Sequence, residues 1–424
     1  MPTDRSRSPR TPIPPSGGTP HMNTSTSIRT DNVPAIVDEL SAQLPARLPL
    51  LVDVAADLHA NPEIRFTEVH AAARLTSELE SAGFAVERGF AGLDTAFVGR
   101  WSTPDAGEDT PTIAVFCEYD ALEGIGHACG HNIIAASGLG AGILLKDALT
   151  AAPGTPAHVV VIGSPGEEGA AGKVPMIEGG VLDGIDLAIM VHPGATNTVG
   201  GSTLSRVALD VTFTGRASHA AASPETGINA LDASTLSLTA IGLLRQQLTD
   251  DARVHAIVTD GGQAPNIIPE RTALRIFIRA AERDHLLENV VPRVRACFEG
   301  AAIATGCTVL IEENTPAYYS LISNPVLADI AHSAFDRLGR EVGEEPITGS
   351  TDMGNVSHVV PSIHPMIQLI PDGVAHTREF AAAAGGPNAA ATIADGAAML
   401  AATALAVFRE PSLAVEAKAA FDAR

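Results

Sequence analysis

The densest group of side chains able to carry out chemistry lies in the segment EYDALEGIGHACGHN. It sets His127, Cys129 and His131 at alternate positions just before a predicted helix, with Glu118 and Asp120 at the end of the preceding predicted strand. Thiolate and imidazole are natural ligands of zinc and similar metals, and a turn lets side chains two positions apart converge. The segment predicts a metal site, although a buried cysteine and a helix-capping histidine are an alternative interpretation.

A second group follows another predicted strand, where GSPGEEGAAGK sets Glu167 and Glu168 side by side in a loop. Adjacent carboxylates at a strand end suit a division of labour in which one binds a metal and the other acts as general base on a bound water. The alternative is a solvated acidic turn that opens a helix, because glutamate is favoured near helix N-termini.

Two further histidines occupy comparable positions: His192 in IMVHPGA ends an apolar strand, and His376 in GVAHTREF precedes the closing helix. A lone strand-end histidine is more often structural than a ligand. Sites in α/β folds, however, are built at the carboxyl ends of strands, where these residues are predicted to meet. Enough ligands for two metal ions then come together: Cys129, His131, Glu168, His192 and His376.

A third group lies in the middle of the chain, with His219 in GRASHAAASP, Asn266 in APNIIPE and Arg279 in RIFIRAA. A histidine can stabilise a developing oxyanion, and an amide and a guanidinium can hold a carboxylate. Each residue also has a structural interpretation, as a turn cap, a turn former or one half of a surface ion pair. Their clustering on one segment favours the functional interpretation.

The elements that must position these groups alternate between strands and helices. Residues 33–202 and 314–412 show the pattern of a layered α/β domain with a largely parallel sheet. Residues 203–313 follow the order β-α-β-β-α-β, which is the split βαβ arrangement, and form a predicted inserted domain. The sequence thus predicts one discontinuous domain and one insertion.

Composition restricts the class of protein. The 424 residues carry a net charge of −22, which argues against nucleic acid or an anionic membrane as partner. No stretch reaches the roughly 18 uninterrupted apolar residues of a membrane span. Four cysteines without tight spacing favour a reducing compartment, so we expect a cytoplasmic protein. Residues 1–32, rich in Arg, Pro, Ser and Thr, are predicted to be a disordered tail, in which Met22 is a possible alternative start.

Together the motifs resemble the dinuclear metallohydrolases that include aminoacylase, carboxypeptidase G, the plant auxin-conjugate hydrolases and p-aminobenzoyl-glutamate hydrolase. Within that family the chain looks most like the subgroup of Xaa-Arg (β-alanyl-lysine) dipeptidase and p-aminobenzoyl-glutamate hydrolase. The resemblance spans roughly residues 57–402 and rests on the segments EYDALEGIGHACGHN, GSPGEEGAAGK, GRASHAA, PNIIPE, GSTDMGNVSHVVPSIHP and AHTREF.

The resemblance implies a fold and a set of roles. The fold is a mixed-sheet metallopeptidase catalytic domain with an inserted ferredoxin-like lid and dimerisation domain. Glu167 is the implied general base, and His219 the implied transition-state histidine, presented within its own chain or to a partner subunit. Asn266 and Arg279 match residues that hold the substrate's carboxylate. The implied ligands of two divalent ions (Zn, Mn or Co), with Cys129 as a bridging thiolate, are Cys129, His131, Glu168, His192 and His376.

The implied activity is metal-dependent hydrolysis of an amide bond in dipeptides or N-acyl or aminoacyl amino acids with a free carboxylate. The expected partners are a small-molecule substrate and a second copy of the chain. Hydrolysis of p-aminobenzoyl-glutamate or another N-acyl amino acid is an alternative. A non-catalytic metal-binding or ligand-binding protein is an alternative of another class, against which the retained base Glu167 argues. A thiol-based redox role for Cys129 is weaker, because no Cys-x-x-Cys motif surrounds it.

Overall fold

A computed structural model of the protein describes residues 30–344 and 349–424. The predicted disordered tail, residues 1–32, lies outside the described residues except for its last three, and so does Met22. The strands are β1 Ala85–Arg88, β2 Phe97–Ser102, β3 Thr112–Glu118, β4 His158–Ser164, β5 Leu187–Ile189, β6 His192–Gly194, β7 Ser205–Thr214, β8 Arg253–Asp260, β9 Arg271–Ala280, β10 Thr308–Tyr318, β11 Ser362–Ile363 and β12 Met366–Gln368.

Helices surround and connect these strands. They are α1 Val33–Ala60, α2 Val69–Ser81, α3 His131–Ala151, α4 Glu167–Ala170, α5 Lys173–Glu178, α6 Ala230–Leu244, α7 Arg283–His285, α8 Val291–Thr305, α9 Pro325–Arg337, α10 Met353–Ser357, α11 Arg378–Ala384, α12 Ala389–Arg409 and α13 Ser412–Asp422. A π-helical turn, Leu286–Val290, joins α7 to α8, so that one continuous helical segment results.

The larger sheet is mixed, in the order β1-β2-β4-β3-β5-β11. Its central pairings, β4 with β3, β3 with β5 and β5 with β11, are parallel. The pairings of β1 with β2 and of β2 with β4 are antiparallel, so the sheet is mixed at this edge. The parallel strands β3, β4 and β5 end next to the predicted site residues.

The core of this part of the molecule is the layer of helices α1, α3 and α12 against the sheet. By length and composition α3 and α12 could each cross a membrane, but 83% and 89% of their apolar windows are buried inside the fold, as in core helices. Gly138 lets α3 lie directly on β3, since a Cβ there would come within 2.6 Å of Cys117 Sγ and 2.7 Å of the Phe116 carbonyl oxygen. This close packing holds the N-terminus of α3, where His131 lies, against the sheet.

The smaller sheet is antiparallel, in the order β10-β7-β9-β8, and its chain order is the predicted β-α-β-β-α-β. One of its faces is covered by α6 and α8, against which Leu274, Ile276 and Ile278 of β9 are buried. Alternate residues of β9 lie on the opposite, uncovered face, as the two-residue period of a strand requires. Strand β10 continues to Tyr318, five residues past the end of the predicted insertion, and so approaches the larger sheet.

Candidate metal centre

The turn before α3 brings the first ligand candidates to the end of the parallel strands. Gly130 adopts φ +80°, and a Cβ on it would lie 2.5 Å from Pro193 Cγ, so that the position excludes a larger residue. The close approach sets the Cys129–His131 turn directly against the end of the strand that carries His192. The geometry therefore depends on contacts between distant parts of the chain as well as on spacing within the motif.

His131 is held by Asp120 in an orientation suited to a metal ligand. Its Nδ1 lies 2.9 Å from Asp120 Oδ1, and its buried Nε2 has no hydrogen-bond partner among the described residues. Nε2 lies 3.6 Å from Glu118 Oε2 and 4.0 Å from Glu167 Oε2. Burial opposes protonation, but Asp120 and Cys129 together outweigh it and raise the pKa of His131 well above its usual value. A divalent cation at Nε2 would take the place of that proton.

Cys129 and His192 form the adjoining part of the centre. Nδ1 of His192 donates to the Pro193 carbonyl oxygen at 2.8 Å, which leaves Nε2 facing Cys129 Sγ at 3.4 Å. Burial and the charge of His131 lower the pKa of His192, so its neutral, metal-binding form is favoured. Burial also raises the pKa of the Cys129 thiol. A thiolate at this position needs a cation beside it.

Glu167 and Glu168 point into the same space from the loop after β4. Glu168 is fixed by its backbone N–H, which donates to Asp120 Oδ2 at 2.9 Å, and its Oε1 lies 3.2 Å from His376 Nε2. Burial opposes ionisation of Glu168, but the hydrogen bond from His376 and the charge of His131 lower its pKa. Burial and the charges of Glu118 and Glu168 raise the pKa of Glu167 well above its usual range. The two neighbours thus have pKa values shifted in opposite directions, which indicates different roles for the two carboxyl groups.

His376 reaches the centre through a strained backbone. Its φ is +67°, and its N–H donates to the Ala128 carbonyl oxygen at 2.8 Å, one residue before Cys129. Positive φ at a residue other than glycine is costly, and such residues cluster at functional sites. The hydrogen bond to the turn compensates part of this cost and fixes the imidazole next to Glu168.

The structure brings all five predicted ligands together with Glu167. Their ligand atoms form three overlapping groups, each within 4.8 Å: Cys129 with His131 and His192, Cys129 with Glu168 and His376, and His131 with Glu167 and Glu168. Sulfur, imidazole and carboxylate donors suit borderline divalent metals, and the unpartnered Nε2 of His131 faces the centre of the cluster. The residues therefore fit a bound metal.

The fold places two residues without a predicted role, Lys173 and Asp352, beside the cluster. Lys173 is fully buried; its ammonium donates to Glu118 Oε1 and, at 2.7 Å, to Asp352 Oδ1. Its backbone N–H donates to Asp352 Oδ2 at 2.9 Å. The cation compensates two buried carboxylates and directs Oε2 of Glu118 toward His131. The position of this lysine between small and apolar residues, in AAGKVPMI, was the signal available in the sequence.

The loop that carries the two glutamates is held on both sides. The Tyr318 hydroxyl donates to the Glu167 carbonyl oxygen at 2.6 Å and accepts from the Ala171 N–H at 2.9 Å. On the other side, Glu68 Oε1 accepts the N–H of Gly166 at 2.9 Å, and burial raises the pKa of Glu68 to about 7. Neither Tyr318 nor Glu68 belongs to a recognisable motif, so the sequence alone did not identify them.

The three predicted residues of the insertion are not all brought together. The exposed His219 and Asn266 are neighbours, since the Ala220 N–H donates to the Asn266 carbonyl oxygen at 3.0 Å and His219 forms a bridge with Ile267. Arg279 lies at the opposite end of β9, a strand that spans about 30 Å at the usual rise per residue. Within one chain, therefore, Asn266 and Arg279 do not contact the same small ligand.

Comparisons with known proteins agree with this geometry. Residues 108–406 match the Peptidase family M20/M25/M40. The chain is 41% identical to the Xaa-Arg dipeptidase of Mus musculus, over 83% of this chain and 84% of that protein. It is 35% identical to one of the polypeptides of the p-aminobenzoyl-glutamate hydrolase of Escherichia coli (strain K12), over 68% of this chain and 62% of that polypeptide.

Solved structures show the same fold. An aminobenzoyl-glutamate utilization protein from Klebsiella pneumoniae superposes with a TM-score of 0.69 at 21% identity, over 88% of this chain and 99% of that one. A dinuclear metal binding peptidase of the M20 family from Bacillus subtilis gives a TM-score of 0.65 at 21% identity, over 86% of this chain and 99% of that one. The mixed sheet with an inserted smaller unit, predicted from the sequence, is confirmed.

Proposed function

The chain belongs to the Peptidase family M20/M25/M40 and is a metal-dependent hydrolase. We propose that it cleaves an amide bond in dipeptides or in N-acyl or aminoacyl amino acids with a free carboxylate. The observation that carries the proposal is the convergence of six acid, imidazole and thiol side chains at the ends of the parallel strands. Glu167 is the proposed general base. A protein that only binds a metal needs ligands but has no use for this buried second glutamate.

Two divalent ions are proposed, because two of the ligand groups share Cys129. One would be held by Cys129, His131 and His192, and the other by Cys129, Glu168 and His376. When bound, such ions activate a water molecule and polarise the substrate's carbonyl group. Zinc, manganese and cobalt all suit this set of sulfur, nitrogen and oxygen donors.

The chain's own residues orient the ligands and move the proton. Asp120 and the Pro193 carbonyl oxygen each fix one imidazole, as outer hydrogen-bond partners of metal ligands usually do. Glu167 accepts a proton from the attacking water and returns it to the nitrogen of the leaving amine. Its carbonyl oxygen is held by Tyr318, which keeps the carboxylate in place during this transfer.

His219 and Asn266 are proposed to act on the site of a second copy in a homodimer. Their distance from Arg279 along β9 supports this arrangement. The outer surface of the smaller sheet and its helix α6 also offers apolar side chains suited to such a contact, with Ile257 62% exposed and Leu243 65% exposed. In the dimer His219 would stabilise the oxyanion, and Asn266 and Arg279 would meet at the substrate's carboxylate.

The relatives' names suggest two substrate classes. One relative is named a Xaa-Arg dipeptidase and the other a p-aminobenzoyl-glutamate hydrolase, so the leaving amino acid is basic in the first name and acidic in the second. We propose that one of these classes is the substrate, with Arg279 on its α-carboxylate. A cytoplasmic location is proposed as well, supported by the four free cysteines.

The metal content per chain of the purified protein tests this function. We expect about two ions per chain, loss of amide hydrolysis on chelation, and recovery when zinc, manganese or cobalt is added back. The assay panel contains dipeptides and N-acyl amino acids with acidic, neutral and basic leaving groups. A protein without bound metal that cleaves none of them under any addition would contradict the proposal.

A further inference from the structure

We propose that Arg206 and Arg279 form a pocket of two guanidinium groups that binds a dicarboxylic leaving amino acid, so that aspartate or glutamate is preferred on the leaving side over a neutral or basic residue. The inference rests on the proposed amide hydrolysis and specifies its substrate class. Arg206 stands outside every motif of the sequence and takes no part in the metal centre.

The two arginines are direct neighbours on the uncovered face of the smaller sheet. Arg206 of β7 pairs in register with Arg279 of β9, and on its other side it pairs with Tyr318 of β10. Paired residues of antiparallel strands lie on the same face of the sheet. Both guanidinium groups also lie against the ring of Phe277, Arg206 at 4.8 Å and Arg279 at 5.3 Å from its centre, so the two positive charges border the same part of this face.

Arg206 is buried with unused hydrogen-bonding capacity. It is only 8% exposed, and its guanidinium lies between two aromatic rings, 4.1 Å from the centre of Tyr318 and 4.8 Å from that of Phe277. One amino group donates to Thr315 Oγ1 at 3.2 Å, but Nε has no partner among the described residues. A buried charged donor left unpaired is costly, which indicates that an acceptor belongs there.

Arg279 is a second, half-buried cation beside Arg206. Its guanidinium stacks 5.3 Å from the ring centre of Phe277. Burial and the positive charge of Arg206 lower the pKa of Arg279, and no carboxylate contributes to this shift. A single α-carboxylate can accept the paired hydrogen bonds of one guanidinium group, whereas the second guanidinium group requires a second carboxylate. A basic leaving residue would instead add a third positive charge.

The pocket is connected to the catalytic loop. Tyr318, which stacks on Arg206, also binds the carbonyl oxygen of Glu167 through its hydroxyl group. The row formed by Tyr318, Arg206 and Arg279 therefore begins at the proposed base and runs across the smaller sheet. A leaving group bound to this row has its amide nitrogen on the side of the metal centre.

The test compares N-acyl-glutamate with the isosteric N-acyl-glutamine and with N-acyl-lysine, all with one acyl group, on the metal-loaded protein. For the unaltered protein we expect kcat/KM to be at least about tenfold higher for the glutamate substrate than for glutamine. For Arg206→Met we expect this preference to fall about tenfold, mainly through a higher KM for the glutamate substrate. Calorimetric binding of free glutamate and glutamine to the metal-loaded protein gives a readout that is independent of turnover.

Arg275→Met is the matched control, since Arg275 lies on the same face of β9 but is paired with Asp210; its glutamate preference should not change. Metal content and circular dichroism show whether Arg206→Met folds. If it does not, Arg206→Lys, which keeps the charge, is measured in its place. If the unaltered protein hydrolyses amides but favours glutamine or lysine, the inference is wrong and the proposed function stands. If it hydrolyses no amide, the proposed function itself is wrong.

Discussion

At the scale of single residues, Glu167 has the most specific task. Replacement by glutamine keeps its size but removes proton acceptance, and loss of a general base typically lowers the rate by about 100- to 10,000-fold. We therefore expect Glu167→Gln to lose hydrolysis while metal content per chain stays the same. Glu123→Gln, at an exposed position of the EYDALEGIGHACGHN segment, is the control and should be fully active. Equal loss of metal and activity would instead indicate a ligand role for Glu167.

Lys173 is the second residue with a distinct prediction. It is 0% exposed and lies between the buried carboxylates of Glu118 and Asp352. Removing one partner of a buried ion pair leaves uncompensated charge and costs about 3–5 kcal/mol. Lys173→Met should lower the free energy of unfolding by about that amount in urea titrations. The partly exposed Lys146 provides the control Lys146→Met, and an equal effect of both substitutions would contradict the role of the ion pair.

At the scale of elements, the site depends on how loops are fastened to the ends of strands. Glu68, just before α2, holds the loop after β4 through Gly166 and holds its own loop through the N–H of Phe66 at 2.9 Å. Its Oε2 accepts from the Thr95 hydroxyl at 3.0 Å. Three segments distant in sequence therefore meet at one buried carboxyl group, and its protonation state affects all of them.

This carboxyl group predicts a pH dependence of stability. Burial raises the pKa of Glu68 to about 7 in the folded protein, against an ordinary value of about 4.3 in an unfolded chain. A raised pKa favours the protonated form on folding, so the stabilisation is complete below the unfolded pKa and is lost as the pH rises through the folded pKa. As the pH rises between these two values, the free energy of unfolding of the unaltered protein should fall.

Glu68→Gln keeps the group neutral and should flatten that decline, because the amide can still accept the backbone N–H groups and donate to Thr95. Urea midpoints at several pH values between about 5 and 8 measure the effect. Glu87→Gln, at an exposed position of β1, should leave the decline as in the unaltered protein. Parallel curves for Glu68→Gln and the unaltered protein would show that Glu68 does not titrate in this range.

At the scale of the whole molecule, the proposed dimer makes a prediction that a monomer cannot. If His219 serves the partner's site, then a mixture of the inactive variants Glu167→Gln and His219→Ala contains hybrid dimers with one intact site. At equal amounts, after subunit exchange, about a quarter of the sites should be active. Sedimentation should give the mass of two chains.

Mixing Glu167→Gln with Glu167→Ala is the control for this experiment, since neither variant supplies the base. No recovered activity in the first mixture, from a protein that sediments as a dimer, would place His219 in the site of its own chain. In that case the effects of substituting Arg279 and Arg206, the two arginines of the carboxylate pocket, should be compared with each other.

Local sequence was sufficient for the elements and for the residues at their ends. Cys129, His131, Glu168 and His192 follow apolar strands, and a parallel sheet aligns such ends along one edge whichever strands are neighbours. The periodicity of residues 203–313 likewise was enough for the β-α-β-β-α-β order that the structure has. Short-range pattern carries this information because secondary structure depends on neighbours within a few positions.

Only the tertiary structure decided which distant side chains meet. Lys173 reaches Asp352 across 179 positions, and Arg206 lies beside Arg279 because of the register between β7 and β9. The extended course of β9 separates Asn266 from Arg279, because a strand rises by about 3.3 Å per residue. Such contacts arise from the packing of strands and helices against one another, which buries apolar side chains regardless of the motifs they carry. The arginine pair therefore had no signature in the chain.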